Sequence, residues 1–199
     1  VIVGNFVSAN VDLIFANATP ALQAAAAATD KIPIIGTSIT DYATALDMDN
    51  WTGKTGRNIT GTSDLAPLAE QAKMIAELCP DAKTVGILYC SAEANSKYQA
   101  TVVAAELEKL GIASKEFTSA DSNDLAAVTT AACREVDALY VPTDNMLASN
   151  AAIIDSVALP AGIPVVAGEE GICKGCGIAT LSIDYYSIGY NAGLQAYDI

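Results

Sequence analysis

The chain has 199 residues, long enough to bury a sizeable core as one large domain or two smaller ones. Apolar residues make up 52% and charged residues 17%, which argues against disorder; a formal net charge of −13 with no basic run argues against nucleic acid and anionic membrane surfaces as partners. Histidine is absent, which removes the commonest general base, the commonest zinc ligand and every Ser-His or Cys-His nucleophile.

The opening VIVGNFVSAN reads as the closing turns of a helix, and the end, GLQAYDI, reads as the middle of another. The expectation is a fragment or mature core, incomplete at both ends, with any signal segment upstream, because no stretch in the chain has the length or pattern of a membrane span or a signal sequence. Residues 11–16 are the right types for a buried strand, and Pro20 suits the first turn of a helix running to about Thr29, which puts Thr19 at its N-cap. A threonine there can cap the free N–H groups, and the same N–H groups can hold a ligand carboxylate or phosphate. Residues 32–36 form a short strand leading into Thr37 and Ser38. NWTGKTGRNITG, residues 50–61, reads as a loop that breaks the chain into two sheets, after which Ser63 or Asp64 caps a helix carrying Leu65, Leu68, Ala72, Ile75 and Leu78 at helical spacing.

The second series reads as strand 84–89, helix 96–110 closed by Gly111, strand 113–118, helix 124–133, strand 136–141, helix 147–157, strand 163–167 and strand 178–183, with a last helix from Asp184. Such alternation implies an α/β fold with parallel sheets flanked by helices. Five cysteines are present, and only Cys173-Lys174-Gly175-Cys176 has a motif spacing. A lone C-x-x-C in a glycine-rich turn, with no histidine and no second pair, points to a local disulfide or two inert thiols, with no metal and no cofactor.

Ligands of open parallel sheets bind outside the carboxyl ends of the strands. Those ends here are Asn17 to Thr19, Thr37 with Ser38, Ser91 through Asn95 and Ser96, Thr143 with Asp144 and Asn145, Glu169 with Glu170, and Ser182 with Asp184. They offer hydroxyls, amides and carboxylates but no lysine or arginine, which suits a small ligand bearing an amine. There is no G-x-x-x-x-G-K-[ST] loop and no G-x-G-x-x-G after a strand, so nucleotide phosphates lack a recognisable cradle. Asp144 and Glu169 could in principle act as a glycosidase pair, but a cap and a ligand acceptor outweigh that reading.

The segments DLIFANATPALQAA, IPIIGTSITDY, GRNITGTSD, CPDAKTVGILYCSAEANS, VDALYVPTDN, IPVVAGEEG and DYYSIGYNAG, in this order along most of the chain, resemble the substrate-binding proteins of ABC transporters, in the branch associated with aromatic amino acids such as tryptophan and tyrosine. Tyr42 departs from the pattern, since that family often has proline after the aspartate corresponding to Asp41. The resemblance implies a two-lobed type I periplasmic-binding-protein fold: residues 1–62 and 177–199 in a partial first lobe, 63–176 in the second, and hinge segments at residues 58–61 and 176–177. It implies a non-enzymatic, monomeric, extracytoplasmic receptor, periplasmic or lipid-anchored, that closes on an amino acid such as tryptophan, tyrosine or phenylalanine and serves a membrane permease. A ligand-sensing regulatory domain of the same fold is the alternative, and a small hydrolase is more distant. On this reading Thr19, helped by Thr37 or Ser38, takes the ligand's carboxylate. Asp144 takes its ammonium, with Glu169 or Asp184 next in line, and Asn95, Ser96 and Asn145 line the second lobe as ligand contacts or as plain caps.

Overall fold

A computed structural model of the protein describes Val1–Ile199 and divides it into two compact units, Val1–Leu65 with Asp184–Ile199, and Ala66–Ile183. The first unit runs α1 (Ile2–Ser8), β1 (Ile14–Asn17), α2 (Thr19–Ala28), β2 (Ile34–Ile39), α3 (Tyr42–Ala45) and β3 (Ile59–Ser63). Its three strands pair in parallel in the order β1-β2-β3. Ile14, Ala16, Ile34, Ile39 and Ile59 from the strands close on Leu22 and Ala25 of α2 to make its core. β3 begins inside the stretch expected to be loop and runs two residues past it: ITGTS has one aliphatic residue and no apolar run, and it is held as a strand by its register with Ile34 to Gly36. Where β2 and β3 slip out of register between Gly36 and Ile39, Tyr42 sends its hydroxyl into the gap and donates to the carbonyl oxygens of Gly36 and Thr62, 3.2 Å from each. A Cβ on Gly36 would lie 2.5 Å from that hydroxyl, and one on Gly61 2.4 Å from it.

The second unit runs α4 (Leu68–Leu78), β4 (Thr84–Cys90), α5 (Ala94–Lys109), β5 (Ala113–Ser119), α6 (Leu125–Cys133), β6 (Ala138–Val141), α7 (Asn145–Ser149), α8 (Ala151–Ala161), β7 (Val165–Ala167), α9 (Glu170–Cys176) and β8 (Ala179–Thr180). Its parallel sheet has the order β5-β4-β6-β7-β8. One face buries Leu88, Leu139, Val141 and Ala167 against Leu125 of α6 and Ile154 of α8. The other buries Ile87, Tyr140 and Val166 against Ile75 of α4 and Val103 and Leu107 of α5. The chain then returns to the first unit as α10 (Tyr185–Asp198), which packs on β2 and β3.

Several boundaries differ from the sequence expectation for local reasons. Ser63 ends β3 instead of capping a helix, and α4 waits for Pro67 at its N-cap. The helix expected over 147–157 is two helices meeting at Asn150. Cys173 and Cys176 stand in the last two turns of α9, not in a loop, because Glu169 caps that helix. The chain changes unit after Leu65 and after Ile183, later than residues 58–61 and 176–177, since β3 completes the first sheet and β8 completes the second before the crossings.

Candidate functional site

In the second sheet the chain leaves β4 for β5 on one side and then places β6 on the other, with α5 and α6 on opposite faces. The loops beyond β4 and β6 therefore diverge at a topological switch point, where open α/β sheets form their binding crevices. SAEANS follows β4 and PTDN follows β6, so the switch point gathers Glu93, Asn95, Ser96, Thr143, Asp144 and Asn145. Asp144, 1% exposed, caps α7: its Oδ1 accepts from Leu147 N at 2.8 Å, and its Oδ2 from Cys90 N at 2.8 Å and Ser96 Oγ at 2.7 Å. Glu93, 8% exposed, accepts on Oε2 from Asn95 Nδ2 at 3.0 Å, Asn145 N at 3.0 Å and Asn145 Nδ2 at 2.7 Å, and on Oε1 from Met146 N at 2.9 Å. Gln99 clamps Thr143 on both sides, donating to its carbonyl at 2.9 Å and accepting from its N–H at 3.1 Å.

Two features of this network stand out chemically. Neither carboxylate has an ion pair; the four in the chain join Lys73 to Glu70, Lys109 to Glu106, Lys115 to Glu135 and Lys174 to Glu170. Burial, and then the neighbouring Glu93 charge, push the Asp144 carboxyl above the ordinary carboxylate range, against the hydrogen bonds that favour its ionised form. Beside the pair, the buried Asn95 Oδ1 and Thr143 Oγ1 have no hydrogen-bond partner. Buried polar atoms without partners are rare and each calls for an explanation.

In the first unit the expected residues lie at the ends of β1 and β2, where Asn17 is in register with Thr37 and Ala18 N donates to Thr37 O at 3.0 Å. Thr19 is buried at the first helical position; Ala18 is the N-cap, at φ 73° and ψ 158°, a conformation that strongly favours glycine. Ser38 is also left-handed, at φ 55°. Thr62 donates to Thr37 Oγ1 at 3.4 Å. Both strand ends thus hold strained backbone, which clusters at ligand clamps.

The remaining two candidates serve their own helices. Glu169 caps α9, accepting from Gly171 N at 2.6 Å and from Ile172 N. Asp184 caps α10 through Tyr186 N at 3.0 Å and Ser187 Oγ, and these bonds hold its carboxyl below the usual range. All five cysteines are free, and no group of three or more Cys, Asp or Glu side chains is placed to hold a metal ion. No helix is long and apolar enough to cross a membrane.

The family model described as ABC transporter substrate binding protein matches residues 1–199. The chain belongs to that family. Among its relatives is the tyrosine-binding protein of Clostridioides difficile (strain R20291), 36% identical over 198 residues; this chain is covered completely and spans 57% of that relative's length. Among solved structures, an ABC domain from Streptococcus pneumonia in complex with L-Trp superposes with a TM-score of 0.94 at 33% identity, covering 98% of this chain and 68% of the other. A conserved domain protein from Vibrio cholerae gives 0.93 at 32% identity, covering 99% and 66%. A leucine binding protein from Thermotoga maritima, at 17% identity and a TM-score of 0.60 over 88% of this chain and 52% of that one, shares the type I periplasmic-binding fold alone.

In this chain, then, the structure joins four of the nine expected residues, Asn95, Ser96, Asp144 and Asn145, in one network. It keeps Thr19, Thr37 and Ser38 at neighbouring strand ends of the other unit and leaves Glu169 and Asp184 apart as caps. Glu93 is the residue that sequence reasoning missed. An acidic residue two positions before Asn95 reads as a helix-start cap. Its accessible signal was its place between two segments already marked, the end of β4 and the Asn95-Ser96 pair.

Proposed function

We propose that the chain is the ligand-capturing part of an extracytoplasmic solute receptor that takes a free amino acid with an aromatic side chain, without metal or nucleotide, and delivers it to the permease of an ABC importer. The observation that carries this reading is the acceptor surplus at the switch point: two buried carboxylates with no ion pair, and two further buried oxygens with no hydrogen-bond partner. A buried charge without a partner is costly, and an ammonium supplies both the missing charge and up to three donors. On this reading the ammonium is held at Asp144 and Asn95, with Asn145 and Ser96 around them. In the first unit, taken by itself, Thr19 with Thr37 or Ser38 stands at the start of α2, where free N–H groups favour an anion. The proposal further has the receptor act as a monomer, tethered or free outside the cytoplasmic membrane, with no chemistry of its own. The aromatic side chain rests on the names of the relatives that bind tyrosine and tryptophan.

Calorimetric titration of the protein with each of the twenty amino acids tests it. The expected outcome is one-to-one binding of an aromatic amino acid. Silence across the whole set beside a clear signal for a sugar or a nucleoside refutes it.

A further inference from the structure

Glu93 does something the family comparison does not assign. It receives four hydrogen bonds, three of them from Asn145 and Met146 at the start of α7 and one from Asn95 Nδ2 in the first turn of α5. A carboxylate only accepts, so whatever faces it must be a donor. Asn95 Nδ2 accordingly points at Glu93 Oε2, with Ser96 Oγ at 3.3 Å and the Thr143 carbonyl at 3.2 Å around it. Turning the amide over would set Oδ1 against the Glu93 carboxylate and the Thr143 carbonyl, two acceptors facing an acceptor. Glu93, with the Thr143 carbonyl beside it, therefore fixes which end of the Asn95 amide is left over. That end is the oxygen: Oδ1 has no partner although Asn95 is only 3% exposed.

We infer that Glu93 is the positioning residue that makes this site selective for an amino group, by locking Asn95 with its oxygen free to accept from the ligand. The inference rests on the amino-acid reading above. A ligand carrying an ammonium satisfies Asn95 Oδ1 and brings a cation beside the Glu93 and Asp144 charges. The same molecule without its amine leaves the oxygen buried and unpaired. Glu93→Gln removes the charge beside the ammonium and sets an amide nitrogen against a backbone N–H, Met146 N or Asn145 N, which loosens the acceptor that holds Asn95 Nδ2 and leaves the Thr143 carbonyl as its firm partner.

The test compares L-tyrosine and L-tryptophan with their des-amino analogues, 3-(4-hydroxyphenyl)propanoate and indole-3-propanoate, by calorimetry on the parent protein, Glu93→Gln and Asn95→Ala. The parent is expected to prefer the amino acids, and Glu93→Gln to lose roughly tenfold to a hundredfold of amino-acid affinity while its affinity for the analogues stays within about threefold. A residue that merely builds the fold lowers both affinities by one factor, and that result overturns the inference. Asn95→Ala removes the oriented oxygen without touching the bonds from Glu93 to Asn145 and Met146. If the amino preference survives there, the inference falls even should Glu93→Gln not fold. A parent protein that binds no amino acid at all overturns the proposed function itself, and the role of Glu93 with it. Binding with an unchanged preference in both variants overturns the role of Glu93 alone.

Discussion

Replacing Asp144 with alanine separates its two roles, and the structure sets the size of each. The side chain accepts from two buried backbone N–H groups, Leu147 N and Cys90 N, and from Ser96 Oγ. Ser96 has a second acceptor in the Thr143 carbonyl at 3.4 Å, but nothing else is in place to receive the two N–H groups. Each buried donor left unsatisfied costs about 1 to 3 kcal/mol, and removing a carboxylate already disfavoured by burial and by Glu93 gives part of that back. The net expectation is a loss of about 2 to 4 kcal/mol in the second unit, read as a fall in melting temperature on the order of 10 °C by circular dichroism. If the carboxylate also faces the ligand's ammonium, amino-acid affinity should drop by a further 2 to 4 kcal/mol, roughly, in a titration below the melting range. A melting temperature within about a degree of the parent would refute the hydrogen-bond accounting, since no cap of this kind is lost for so little. A large fall in stability with unchanged affinity would make Asp144 a cap only, and the ammonium would have to be held by Asn95 and Glu93 without it.

Three further outcomes follow from the same geometry. A carboxyl whose pKa is raised on folding binds its proton more tightly in the folded state, so Asp144's contribution to stability is full below the unfolded carboxylate pKa and is lost as pH rises through its raised folded value. An ammonium favours the ionised form, so amino-acid affinity should increase with pH across that window and binding should release protons, seen as a calorimetric enthalpy that changes with the buffer; a buffer-independent enthalpy there contradicts it. Ala18→Gly relieves a backbone at φ 73° and ψ 158° and should stabilise the first unit by about 1 kcal/mol, the strain of 1 to 3 kcal/mol less the extra freedom of glycine in the unfolded chain; a lower melting temperature would show that the conformation is not strained. Elemental analysis after dialysis should find no stoichiometric zinc, since burial first, then Asp155 and Cys173, push the Cys176 thiol up to about 12, where a metal must displace a tightly held proton; one zinc per chain would overturn this.

The alternation in the second unit was legible because the three central strands of its sheet are buried on both faces and read as apolar runs: residues 85–90, 138–141 and 165–167 carry no exposed residue. β3 was not legible, because Thr60, Gly61 and Thr62 are turn and surface types and become strand only beside β2. The position of Thr19 slipped by one place because Ala18 adopts a conformation that no propensity assigns to alanine. Asn95, Ser96 and Asp144 could be named from their place after strands. What could not be read was that they touch, since that depends on β6 lying beside β4 with β5 on the far side, an order fixed by packing and not by sequence. Glu93 was hidden for the same reason: it is buried only because α7 begins against it.

The Tyr42 hydroxyl in its gap between β2 and β3 also constrains the order in which this sequence could have been assembled. A methyl group on residue 36 would stand 2.5 Å from that oxygen, so a glycine there makes room for a tyrosine at 42; residue 61 must be glycine whatever stands at 42, because at its φ of 148° a methyl group would lie 1.9 Å from the Gly36 carbonyl oxygen. The reverse order passes through an intermediate in which the ring has no room. Once the tyrosine is seated its hydroxyl ties the Gly36 and Thr62 carbonyls, and replacing Gly36 then disturbs a contact that the earlier sequence did not have. A reconstruction that steps through positions 36 and 42 one at a time should therefore find the glycine accepted first and the tyrosine only after it.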